Sequence, residues 1–142
     1  MGDVPSVIGK LRSVRDVRLH LAELALARTE RELAAGVSAE EEARRSLAGA
    51  TERRAIETAQ ADETLLHNKA SGRVGIANWL AARKRAESAL QAARVKLADA
   101  SSSRIGLEHE CSTARGHWRA VRVDVERLRL LAESMKGDTH ES

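Results

Sequence analysis

Residues 76–135 read IANWLAARKRAESALQAARVKLADASSSRIGLEHECSTARGHWRAVRVDVERLRLLAESM, and this stretch decides the fold. Alternate steps of three and four from Ile76 reach Ile76, Trp79, Arg83, Ala86, Leu90, Ala93, Leu97, Ala100 and Arg104. The same steps continue through Leu107, Cys111, Ala114, Trp118, Val121, Val125, Leu128, Ala132 and Met135. Sixteen of these eighteen positions are apolar, and none is skipped. An unbroken seven-residue repeat of this length predicts a helix paired in a left-handed coiled coil.

The paired helix has to come from upstream. Leu19, Ala22, Leu26, Thr29, Leu33, Gly36, Glu40, Ala43, Leu47 and Ala50 follow the same spacing. Beyond Ala50 the phase shifts, and Ala55, Ala59, Asp62 and Leu66 are expected to take over the seam. Val7, Leu11, Val14, Val17, Leu21 and Leu24 form a second apolar stripe, more than one partner helix covers. The densest group of helix breakers is His67 to Gly75, with Asn68, Ser71, Gly72 and Gly75. A reversal there leaves two nearly equal arms of roughly 90 Å each. Pro5 and Ser6 suit a helix start, and Lys136-Gly137 suits an end. The expected fold is all-α, a long antiparallel two-helix coiled-coil hairpin forming one domain over 1–142. Helix 1 is expected over about 6–68, a turn over about 69–74, helix 2 over about 74–136 and a tail over 137–142.

Composition agrees with a thin core. Trp79 and Trp118 are the only aromatics, and Pro5 is the only proline. Ala recurs on both seams, which lets helices approach closely but contributes little transfer energy. A marginal rod stabilised by binding is therefore expected. The 24 basic and 21 acidic residues interleave to a net +3, unlike the basic stripe of a dedicated nucleic-acid binder. No stretch is apolar enough to span a membrane, and Met1 to Leu11 lacks the order of a secretory signal. The lone Cys111 is compatible with a reducing cytoplasm.

A reversal near position 71 or 72 places Arg104 opposite Glu40, and Arg83 opposite Gln60 and Glu63. A polar seam residue fixes register, and the alternative is that both guanidiniums snorkel to solvent. On the register view, Arg104→Leu is expected to raise the melting temperature. Leu90, Leu97, Leu107, Cys111, Trp118, Val121, Val125 and Leu128 are the expected seam core, with Trp118 across from Ala25. Trp79, beside Ile76 and Leu80, either closes the seam or anchors a partner. At the open end Lys10, Arg12, Arg15 and Arg18 lie near Arg115, Arg119, Arg122, Arg127 and Arg129, as a solvated face or as a contact for an acidic protein. His109, Glu110 and Cys111 are adjacent and point to different helix faces, so no metal site is expected. Gly72-Arg-Val-Gly75 lacks the Lys-Ser/Thr of a phosphate loop, and a two-helix rod has no concave pocket. Neither catalysis nor a cofactor is expected.

The chain resembles the YscO/SctO and FliJ family, the central stalks of type III secretion and flagellar export machines. The resemblance covers almost the whole length. It rests on size, two equal helices, Arg12, Arg15 and Arg18 before Leu19-His-Leu-Ala-Glu-Leu, the Asn78-Trp79-Leu80 start of the second helix, and the late segment from Ala114 to Leu128. It implies a cytoplasmic bacterial stalk, monomeric and associated with the secretion apparatus at the inner membrane. The resemblance further implies that the open end inserts into a hexameric export ATPase, through Lys10, Arg12, Arg15, Arg18, Arg119, Arg122, Arg127 and Arg129. It implies that the turn end meets an FlhA/SctV-type export gate through Ile76, Trp79 and Leu80, and that substrate chaperones bind as well. This sequence lacks the other aromatics that flagellar members often place near the tip. Two other functions remain open on the residues alone: an adaptor that homodimerises into a four-helix bundle, or a basic coiled coil on anionic lipid or nucleic acid.

Overall fold

The computed structural model describes residues 4–67 and 72–141. Every one of them is helical, with α1 spanning Val4–His67 and α2 spanning Gly72–Glu141. The two helices pack against each other as a hairpin, the fold expected from the seven-residue repeat. Pro5 lies in the first turn of α1, where a missing N–H costs nothing. Thr29, Thr51 and Thr113 sit inside helices and donate their hydroxyls to the carbonyls of Leu26, Leu47 and His109.

The helix ends differ from the sequence expectation at three points. α1 begins two residues earlier than Ser6. The expected turn over 69–74 falls partly on residues 68–71, which lie outside the described residues, but Arg73 and Val74 belong to α2. Gly72 takes φ +50° at the head of that helix, a left-handed conformation that glycine adopts without steric cost. α2 runs past Gly137 to Glu141. Among described residues only Gly72 has a positive φ, so Gly137 does not form the left-handed cap that would end the helix.

The chain divides into two compact units, one of Met1–Ala34 with Gly106–Ser142, the other of Ala35–Ile105. In the first, the α1 seam runs through Leu19, Ala22, Leu26, Thr29 and Leu33. Its α2 counterpart runs through Leu107, Cys111, Ala114, Trp118, Val121, Val125 and Leu128, all buried or half-buried. Both series keep the three–four alternation without interruption, as the sequence predicts.

The second unit corrects the sequence in phase. Its α1 seam passes from Ala50 to Arg54, Thr58, Ala61 and Leu65, whereas Ala55, Ala59 and Leu66 are exposed. On α2 the seam uses Gly75, Trp79, Ala82, Ala86 and Leu90, leaving Ile76 and Arg83 exposed. Each helix thus takes two successive steps of four, at 50–54–58 and at 82–86–90. Such a pair of steps locally unwinds a left-handed supercoil, and because both helices take it the two seams still match. Burial is thin throughout. The buried apolar side chains are Ala22, Ala43, Ala86, Leu90, Cys111 and Val121, and three of these are alanines with little transfer energy to contribute.

Candidate functional site

The candidate site is built on the unit that joins the start of α1 to the end of α2. Here the α1 seam buries one face and leaves a second apolar face uncovered. Val4, Val7, Leu11, Val14, Val17, Leu21 and Leu24 are all 44–60% exposed. On α2, Val123, Leu130 and Leu131 are exposed as well, the first two on the side away from the seam. The second stripe visible in the sequence is therefore a surface and not part of the hairpin core.

The cations of this unit separate into two groups. Arg15 donates to Asp124 Oδ2 at 3.1 Å and so closes one α1–α2 contact. Arg129 pairs with Glu126 at 3.0 Å, one turn earlier on its own helix. Arg122 lies over the Trp118 ring, 5.2 Å from its centroid. Arg115 reaches Glu30 at 3.8 Å and places its guanidinium 3.9 Å from the buried Cys111 Sγ. These four are occupied within the fold. Lys10, Arg12, Arg18, Arg119 and Arg127 have no ion-pair partner among the described residues. Sequence spacing grouped all nine because it shows sign but not pairing.

Two flanks of this unit contrast. On one, Glu30 meets Arg115, and seven-residue steps carry Glu23 and Asp16 along the same flank as Arg122 and Arg129. Acid on α1 thus stands in register with base on α2, and Glu30 with Arg115 is the pair in contact. On the other flank, Arg18, Leu21 and Ala25 share a groove with His117, Ala120 and Asp124. That groove is apolar and basic, and Asp124, the carboxylate that lines it, is already held by Arg15.

In the Ala35–Ile105 unit, the three residues expected at the turn end have different environments. Ile76 and Leu80 are exposed. Trp79 is half-buried, its indole Nε1 donates to Asp62 Oδ1 at 2.6 Å, and Arg83 lies 5.0 Å over its ring. Arg83 also approaches the same carboxylate at 3.9 Å. The side chain is thus tied to α1 on its polar edge and covered on one face, which leaves less of it for a partner than the sequence implied. The sequence placed Asp62 on the seam of α1, and its bond to the Trp79 indole is what spacing did not show.

No described helix is long and apolar enough to cross a membrane. Among the described residues no group of three or more His, Cys, Asp or Glu is arranged to hold a metal ion. Neither a protein-family model, a curated protein nor a solved structure matches the chain.

Proposed function

We propose that this chain is a non-enzymatic stalk of a bacterial type III secretion system. Its open end, where α1 begins and α2 finishes, inserts into the ring of a hexameric export ATPase. The turn end reaches the export gate through Ile76 and Leu80, with Trp79 as a secondary contact, and substrate chaperones are further partners. The observation that carries this proposal is the uncovered apolar stripe from Val4 to Leu24 beside five cations that have no ion-pair partner among the described residues. A hairpin with no other function for that face would expose it at a cost, and an enclosing partner surface covers it. Two long helices give such a stalk the means to carry position or torque. The resemblance of Arg12 to Leu24, Asn78 to Leu80 and Ala114 to Leu128 to the stalk family supports the choice of partner.

Deletion of residues 1–18 tests this directly. It removes the stripe's first half while leaving most helicity, and binding to a hexameric export ATPase is expected to disappear. Retained binding would show that the rod is oriented the other way. The uncovered stripe also favours one alternative, a homodimeric adaptor bundle. Light scattering separates the two, because the stalk is a monomer at micromolar concentration and the adaptor a dimer.

A further inference from the structure

We propose that the open flank of the first unit is a groove for a single acidic amphipathic helix of another protein. Val4, Val7, Leu11, Val14, Arg18, Leu21 and Ala25 are separated by steps of three and four. This is a second seam on α1, beside the one that packs on α2. A surface with that repeat is shaped for a helix running alongside, because only a helix presents side chains at the matching period. The opposite wall comes from α2, since Arg18 and Leu21 share their groove with His117 and Ala120. A helix seated there converts two helices into three.

The charge of the groove selects the occupant. Arg18 stands within the apolar seam, and Arg127 lies seven residues beyond Ala120 on the same flank of α2. Neither has an ion-pair partner among the described residues, while Asp124 in the groove is neutralised by Arg15. Two unmatched guanidiniums favour carboxylates, which they bind in paired, directional hydrogen bonds. A second copy of this chain is disfavoured, because a two-fold contact would set the Lys10 and Arg18 region against its own counterpart. The other flank carries Asp16, Glu23 and Glu30 on α1, with Glu30 in contact with Arg115, so an acidic helix is repelled there and docking is one-sided. The proposal needs the partner-binding role in general but not the identity of the ring. Failure to bind an export ATPase with the groove still active would defeat the stalk assignment alone.

The test uses the full chain and synthetic three-heptad helices with leucine on one seam. One probe carries glutamates beside the seam, and its counterpart carries lysines there. Fluorescence anisotropy is expected to show the acidic helix binding at least about tenfold more tightly than the basic one. Arg18→Glu should reverse the preference, Leu11→Glu should abolish binding of both, and Glu23→Lys on the far flank should change neither. Circular dichroism confirms that each variant keeps its helicity. Equal binding of the two probes, no binding of either, or an unchanged preference in Arg18→Glu overturns the proposal. Binding to phosphatidylserine vesicles in place of the acidic helix overturns it in favour of a lipid surface. A dimer in sedimentation that Leu11→Glu dissociates overturns it in favour of a second copy.

Discussion

Arg104 Nε donates to Glu40 Oε2 at 2.5 Å across the seam between the two helices. Glu40 is only 7% exposed and also accepts from Arg44 Nη2 at 3.1 Å, one turn along its own helix. The pair sits among alanines and leucines, and a slip by one heptad would leave a carboxylate buried against them. Register is therefore fixed by a cost imposed on the wrong pairings, more than by a gain in the right one. The simple expectation that Arg104→Leu stabilises the hairpin has to be corrected on this geometry. Removing the guanidinium alone leaves Glu40 inside the seam with only Ser101 and the exposed Arg44 to support its charge, so the melting temperature should fall by roughly 5–10 °C. Replacing both, as Glu40→Leu with Arg104→Leu, should recover that loss or exceed it, and thermal denaturation of the three variants checks the order.

The same carboxylate gives the hairpin an acid limit. Arg104 above all, by hydrogen bond and charge, with Ser101 and Arg44 adding to it, holds the Glu40 carboxyl below its ordinary value of 4.5 against the opposing effect of burial. A depressed folded-state value means stability that is complete above the unfolded value and is lost as the pH falls through the folded one. Urea midpoints should therefore stay level with respect to this group above about pH 4.5 and decline below it. Glu40→Gln should start lower and show a shallower decline. An equally steep acid limb in Glu40→Gln would place the effect on other carboxylates.

Near the turn end, Asp62 holds the Trp79 indole N–H. Asp62→Ala should cost about 1 kcal/mol, the usual net value of one such hydrogen bond. In a Trp118→Phe background, the emission of Trp79 should move to longer wavelength as its ring is released toward water. Unchanged emission would mean that Arg83 stacking alone fixes the ring.

Trp118 presents the opposite case. Its Nε1 is buried without a hydrogen-bond partner among the described residues, so the indole contributes area while its donor is a liability. Trp118→Phe should lie within about 1 kcal/mol of the parent protein. Trp118→Ala should cost roughly 3 kcal/mol through lost packing, the low end for a ring that is only half-buried. Chemical denaturation of the two variants separates the ring's area from its polar edge.

The hairpin was legible because the repeat from Ala86 to Met135 is long and its leucines and valines recur in one phase. Arg104 opposite Glu40 was legible for the same reason, as polar residues on an apolar seam at matching distances from the reversal. The phase near the turn was not. Ala81, Ala82 and Ala86, like Ala55, Ala59 and Ala61, make neighbouring registers almost equally apolar, and hydrophobic spacing cannot choose between them. Packing chose the four-plus-four step instead. At the open end the uncovered stripe was visible, but which cations it left unmatched depended on Asp124, Glu126 and Glu30, whose partners lie one turn or a whole chain away.

The start of α1 and the end of α2 lie side by side in one unit and present one surface. Spin labels at Ser13 and Glu126, both exposed, flank the Arg15–Asp124 contact, and dipolar spectroscopy on the monomer measures their separation. A hairpin gives a single narrow distribution below about 30 Å, set by a helix spacing of 8–10 Å plus the two label arms. A distribution centred beyond about 60 Å, which only arms of roughly 90 Å each that do not fold back can give, would contradict it.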